Sequence, residues 1–222
     1  MFIISSMIVW IFTAFLIIID PSSADFSDGW LGVASPLNTV ISIMSGFVIT
    51  VLIQREYQDN TLINVLTAPV ARVEFIISKS IVWFIWHFVT LTINIAIITL
   101  GYRFIFSETF QINKAVEFIT GLGSLGLLSF VTFLPLLWIV VKQRKTFYPS
   151  VLFTLIFAVL LIAIANYPIF NVIPWTAVTL VSVPESRAII GTPGMIIGLS
   201  SIFICGILGL SFACFSFSKQ DQ

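Results

Sequence analysis

The chain has 222 residues, of which 59% are hydrophobic and 9% charged, and its mean hydropathy is +1.11. An ordinary soluble domain carries roughly 25% charge, so this composition belongs to an integral membrane protein and argues against a water-soluble catalyst. The formal net charge of zero gives no electrostatic basis for a nucleic-acid partner.

Six apolar stretches follow one another, each near the roughly 20 residues that cross a bilayer as a helix. Span one is predicted at Met1–Ile19, ending at Asp20-Pro21. It lacks the basic start and small-residue cleavage site of a signal peptide, so it reads as a retained span. Span two is predicted at Pro36–Ile53 and span three at Ser80–Tyr102. Span four, Ala115–Val141, is long enough to tilt, and Pro135 is a predicted kink within it. Spans five and six are predicted at Pro149–Asn166 and Gly194–Phe217. No gap between spans can bury a core of its own. Residues 1–222 therefore read as one all-α transmembrane domain.

Basic residues set the predicted orientation. Of the ten Lys and Arg, seven (Arg55, Arg72, Lys79, Lys142, Arg144, Lys145 and Lys219) fall after spans two, four and six. That side should face the cytoplasm, together with both termini. The spans themselves are nearly free of charge, with His87 in span three and Glu117 near the start of span four. Ion-driven carriers bury carboxylates or histidines for the coupling ion, and that machinery is close to absent. Energy for uphill movement should enter from outside the bilayer.

The gap Gln54–Lys79 is too long for a turn and too apolar to float in water. Leu62, Val65 and Leu66 fall at i, i+3 and i+4, a helical stripe. Asp59 or Asn60 can cap such a helix, and Pro69 ends it. A second helix can then run through Arg72 and Glu74 into span three. The prediction is a short helix lying across the membrane face on a fixed elbow. The same pattern fits a surface helix that only anchors the loop.

Glu56, Asn60-Thr61-Leu62, Leu66, Pro69, Arg72 and Ser78-Lys79 resemble a motif of permease subunits in ATP-binding-cassette exporters of the type-two permease family. The six-span layout is similar too. Asn60 stands where that family has glycine, and Val65 precedes Leu66 where leucine is usual. The small size resembles the lantibiotic-immunity and bacitracin-resistance branch, although permeases of phenol-soluble modulins are similar. The resemblance implies a multi-pass protein of the bacterial cytoplasmic membrane, with a second permease chain, identical or similar, beside it. It implies that Glu56, Thr61, Leu62, Leu66, Pro69 and Arg72 form a coupling helix docked on a dimer of separate ATPase subunits, which hold the ATP and Mg. It also implies short re-entrant helices between spans five and six. Here Pro174 and Trp175 are the candidate outer gate, against an alternative of an interfacial loop anchored by Trp175. An amphipathic or antimicrobial peptide taken from the membrane is the implied cargo. A lipid or polymer-precursor exporter is the alternative, and a non-ATP channel or carrier a more distant one. Family members open with a charged amphipathic helix, whereas this sequence opens at Met1-Phe2-Ile3, which leaves contacts made by that helix unassigned.

Other signals point to packing. Gly121-Leu122-Gly123-Ser124-Leu125-Gly126 satisfies G-x-G-x-x-G but follows no strand and lies inside a span, so a dinucleotide site is not expected. There and at Gly194 and Gly198, small residues allow close helix approach. No P-loop is present, so no ATP site is expected on this chain. His87 lacks nearby metal-ligating side chains and is expected to be packed or interfacial. Cys205 and Cys214 are nine residues apart, on opposite helix faces at roughly 100° per residue, and should not bridge. Glu117 and Lys114 are spaced for an i, i+3 surface pair.

Overall fold

A computed structural model describes residues 2–19, 31–58, 72–105, 111–143, 146, 148–164 and 171–219. The elements are α1 (Phe2–Ile19), α2 (Leu31–Gln58), α3 (Arg72–Ile105), α4 (Ile112–Phe133), α5 (Pro135–Lys142), α6 (Tyr148–Ile164), α7 (Pro174–Ser182) and α8 (Pro184–Ser218). Among the described residues the fold is wholly helical, which is how a chain in lipid satisfies its backbone without water.

Among the described residues five stretches are long and apolar enough to cross a membrane: Phe2–Ile19, Pro36–Gln58, Val73–Ile105, Ile112–Lys142 and Ser186–Ser218. The predicted fifth span falls on α6, a 17-residue helix that is shorter than these. Helices overrun the predicted spans, because a helical ladder continues past the hydrocarbon edge wherever side chains can reach water. α3 has 34 residues, or about 50 Å at 1.5 Å per residue. It is described from Arg72 and carries Glu74 and Lys79 into the span without a break.

Proline 135 divides span four. Leu134 keeps helical angles (φ −53°, ψ −35°), and α5 restarts at Pro135, whose ring cannot donate to the turn before it. α8 seats its glycines against this break. A Cβ on Gly206 would stand 2.6 Å from Val131 Cγ1, and one on Gly209 would stand 2.6 Å from Pro135 Cγ and against the Pro135 backbone. These glycines let two helix backbones meet.

Two apolar cores stack along the bundle. One joins Val9, Ile41, Leu91, Phe118, Leu122, Val178 and Ile202. The other joins Ile49, Phe75, Trp83, Phe130, Leu137 and Phe217. Between them, polar side chains tie helix to helix. Thr13 donates to Asn94 Oδ1 at 2.6 Å, and Trp86 Nε1 to Ser6 at 2.9 Å. Trp83 Nε1 donates to Ser45 at 2.8 Å, and Ser129 to Asn38 at 2.6 Å. Such bonds and small-residue contacts hold membrane helices together where lipid offers no hydrophobic contrast. The outer surface is an apolar belt, with Ile4, Ile11, Phe88, Phe104, Leu152, Phe203, Ile207 and Phe212 exposed.

The glycine-rich run of α4 packs as expected: Leu91 fills the space beside Gly126. His87 is buried at 1% exposure, donates Nε2–H to the Gly126 carbonyl at 3.0 Å and lies 5.4 Å from the Phe130 ring. Both cysteines are free thiols. The Lys114–Glu117 pair does not close among the described residues. Glu117 is exposed, and solvent screening leaves a surface pair little to gain.

Candidate functional site

The elbow between α2 and α3 is built from its two stems. Glu56, in the last turn of α2, meets Lys79, in the third turn of α3, at 2.5 Å, with side chains 24% and 20% exposed. Lys79 also lies 5.3 Å above the Phe75 ring. That ring stacks on Phe217 of α8 with centroids 5.3 Å apart. The ion pair thus ties the end of α2 to the start of α3.

One turn above, α2 is tied to the connection between α5 and α6. Gln54 is buried and donates to the Thr146 carbonyl at 2.6 Å. Thr50 donates to Ser150 at 2.9 Å, and Gln143 Oε1 accepts from the Ser150 backbone N–H at 3.0 Å. Gln143 therefore caps α6 from the end of α5, satisfying a donor that the first helical turn leaves free. These contacts gather Arg55, Lys79, Lys142 and Lys219 at one end of the bundle, the basic end.

Of the predicted coupling residues, Thr61, Leu62, Leu66 and Pro69 lie outside the described residues, as does the predicted short helix. Arg72 is the first residue of α3. Glu56 is described, and its carboxylate is engaged by Lys79 within the chain. Sequence reasoning missed that pairing because 23 residues separate the partners and no helical spacing links them.

At the opposite end lies α7. Pro174 is its first residue and suits that position, where the missing N–H would be free anyway. Trp175 stacks on Phe157 with centroids 3.9 Å apart at 24°, and Phe153 meets it edge-on at 6.1 Å. Residues Thr176 to Ser182 are all buried. α7 packs on α8, α4 and α6. Arg187 closes its far end, donating Nε–H to the Val181 carbonyl at 2.7 Å and Nη2–H to the Ser182 carbonyl at 3.1 Å. Asn171 donates to the Gly194 carbonyl, and Gly198 leaves room for its Oδ1. The predicted glycine pair on the last span is thus the seat of α7. Gly191 turns the chain between the 184–190 segment and the rest of α8, with φ 62° and ψ −176°.

Among the described residues no cluster of three metal-ligating side chains occurs. The geometry offers a braced elbow at one end and a buried short helix at the other.

The family model of an ABC-2 family transporter protein matches residues 1–161, a stretch that includes the elbow. The chain belongs to the ABC-2 transporter family. This ABC-2 permease is also 29% identical over 143 residues to a bacitracin transport permease protein of Bacillus licheniformis. The match covers 62% of this chain, and the chain spans 65% of that relative's length. No solved structure matches it significantly. Family and helices together establish a multi-pass membrane protein of the ABC-2 transporter family.

Proposed function

We propose that this permease forms the membrane part of an ATP-driven exporter that expels an amphipathic, membrane-active peptide and so protects the cell. Six spans, with α6 as the fifth, place both termini and the basic end in the cytoplasm. Two permease chains, identical or similar, stand side by side. Beneath them a dimer of separate ATPase subunits holds ATP and Mg. Residues 59–71 dock on that dimer, with Leu62 and Leu66 filling a cleft in the manner of helix-in-groove recognition. The observation that carries this reading is the family match across a segment whose stems are pinned together by Glu56 and Lys79. A pinned base turns a tilt of the docked segment into movement of α2 and α3. The peptide cargo rests on the name of the Bacillus licheniformis relative and on spans that carry almost no charge.

At the opposite end, α7 enters and leaves the outer leaflet as a re-entrant helix, with Pro174 and Trp175 at the outer gate. Its carbonyls are covered by Arg187, which supports such a placement because uncovered backbone groups are costly in lipid.

The test is reconstitution with the ATPase subunits. Leu66→Asp or Arg72→Glu should abolish substrate-stimulated ATP turnover while membrane insertion is unchanged. Loss of one central contact costs about 2 kcal/mol, or about thirtyfold in docking affinity. Unaltered stimulated turnover in both variants would refute the docking role.

A further inference from the structure

We propose that the basic end of α5 and α8 carries a site for the headgroup of an anionic phospholipid. A cleft of about 200 Å³ opens there, lined by Trp138, Ile139, Lys142, Gln143 and Pro149. Trp138 is its fixed wall. The indole N–H donates to Ser216 of α8 at 2.9 Å, and the ring lies 6.0 Å from Phe212. Lys142 stands one turn further along α5, its ammonium 5.3 Å from the Trp138 ring centroid. Lys219 stands one turn beyond Ser216 and lies 4.3 Å over Phe215. α5 and α8 run parallel here, so both cations stand at the same end of the bundle, Lys142 in the cleft wall and Lys219 one turn beyond the serine that holds Trp138. Among the described residues neither lysine has a carboxylate partner. The elbow differs, since Glu56 neutralises Lys79 there.

Two exposed ammonium groups without a carboxylate partner among the described residues, one of them beside an amphipathic indole, form the arrangement expected at a lipid headgroup plane. Trp and Lys place apolar stems in the bilayer and polar tips in water. Basic pockets between spans on that face hold acidic headgroups. The occupant is a lipid and not a free phosphate, because the surface leading away from the cleft is itself apolar. Leu208, Phe212 and Phe215 are exposed along α8 and give acyl chains a track toward the bilayer centre. The site does not depend on what the permease transports.

Native mass spectrometry of the full chain, equilibrated with equal amounts of phosphatidylglycerol and phosphatidylcholine, tests this. The wild type should retain phosphatidylglycerol preferentially. Each lysine contributes about fivefold to attraction of an anionic surface, so Lys142→Gln with Lys219→Gln should cut the preference by about thirtyfold. Lys142→Arg should keep it, and so should Lys114→Gln at the opposite end, which together show that any loss belongs to the site and not to folding. An unchanged preference in the double glutamine variant would overturn the proposal. So would an equal loss with Lys114→Gln, or displacement of bound lipid by millimolar glycerol phosphate, which would assign the cleft to soluble phosphate.

Discussion

Breaking the Glu56–Lys79 pair is the most direct way to ask whether the elbow is rigid. Two unit charges about 4 Å apart gain about 4 kcal/mol at an effective dielectric near 20. Most of that gain is offset. Both side chains keep a fifth to a quarter of their surface in contact with solvent, and two flexible side chains are ordered. Exposed pairs yield about 0.2–1 kcal/mol, and hydrogen bonds to charged groups about 1.5–3. A half-buried pair, 2.5 Å from nitrogen to oxygen, should fall between, with a coupling of about 1 kcal/mol. The assay is a double-mutant cycle of Glu56→Gln and Lys79→Gln, followed by reversible unfolding in mixed micelles. The coupling should shrink with added salt, because solvent still reaches both groups. A coupling below about 0.3 kcal/mol, the scatter of independent sites, would mean that the two stems are not held together by this contact.

Glycines separate tight from open positions. Gly209→Ala drives a methyl into the Pro135 backbone, and overpacking of that kind costs about 1–3 kcal/mol, read as a lower melting temperature of the purified permease. Gly123→Ala meets nothing within 4 Å and should be neutral or stabilise by up to about 1 kcal/mol through helix propensity. If both variants melt alike, the seat of α8 on the Pro135 break is wrong. Gly191 occupies a backbone region essentially reserved for glycine (φ 62°, ψ −176°), so Gly191→Ala should cost about 1–3 kcal/mol in the same assay. Its placement predicts that loss although a Cβ there has ample room, with Pro193 at 3.8 Å.

Hydropathy located five of the six predicted spans because apolar length is a property of the sequence alone. The break at Pro135 and a helix running through Arg72 and Glu74 into the third span were legible too. Proline acts on its own turn, and a helical ladder continues through charged residues outside the hydrocarbon. The prolines around residues 168–193 pointed to an irregular outer piece, and α7 occupies its apolar middle. The partners of the polar side chains were not legible. Ser45, Thr50 and Ser129 each read as single hydroxyls in an apolar run, and only the packing shows that Trp83, Ser150 and Asn38 face them. Glu56 is assigned to the docking contact by its resemblance to the family motif alone. Its carboxylate is engaged by Lys79, a partner that sequence separation hides.

Those hidden partners converge on α2. Along one helix, Asn38 accepts from Ser129 of α4, Ser45 from Trp83 of α3, Thr50 donates to Ser150 of α6, and Gln54 reaches the α5–α6 connection. Glu56 then adds the start of α3. Each interhelical bond in a membrane averages only about 0.6 kcal/mol, so no single tie locks the bundle. Taken together they tie α2 to α3, α4 and α6. Among the described residues no Asp, Glu, Lys or Arg is buried. A mechanical route along the bundle would therefore run through α2, whose polar residues at positions 38, 45, 50, 54 and 56 each lie within two turns of the next and reach α3, α4, α6 and the α5–α6 connection.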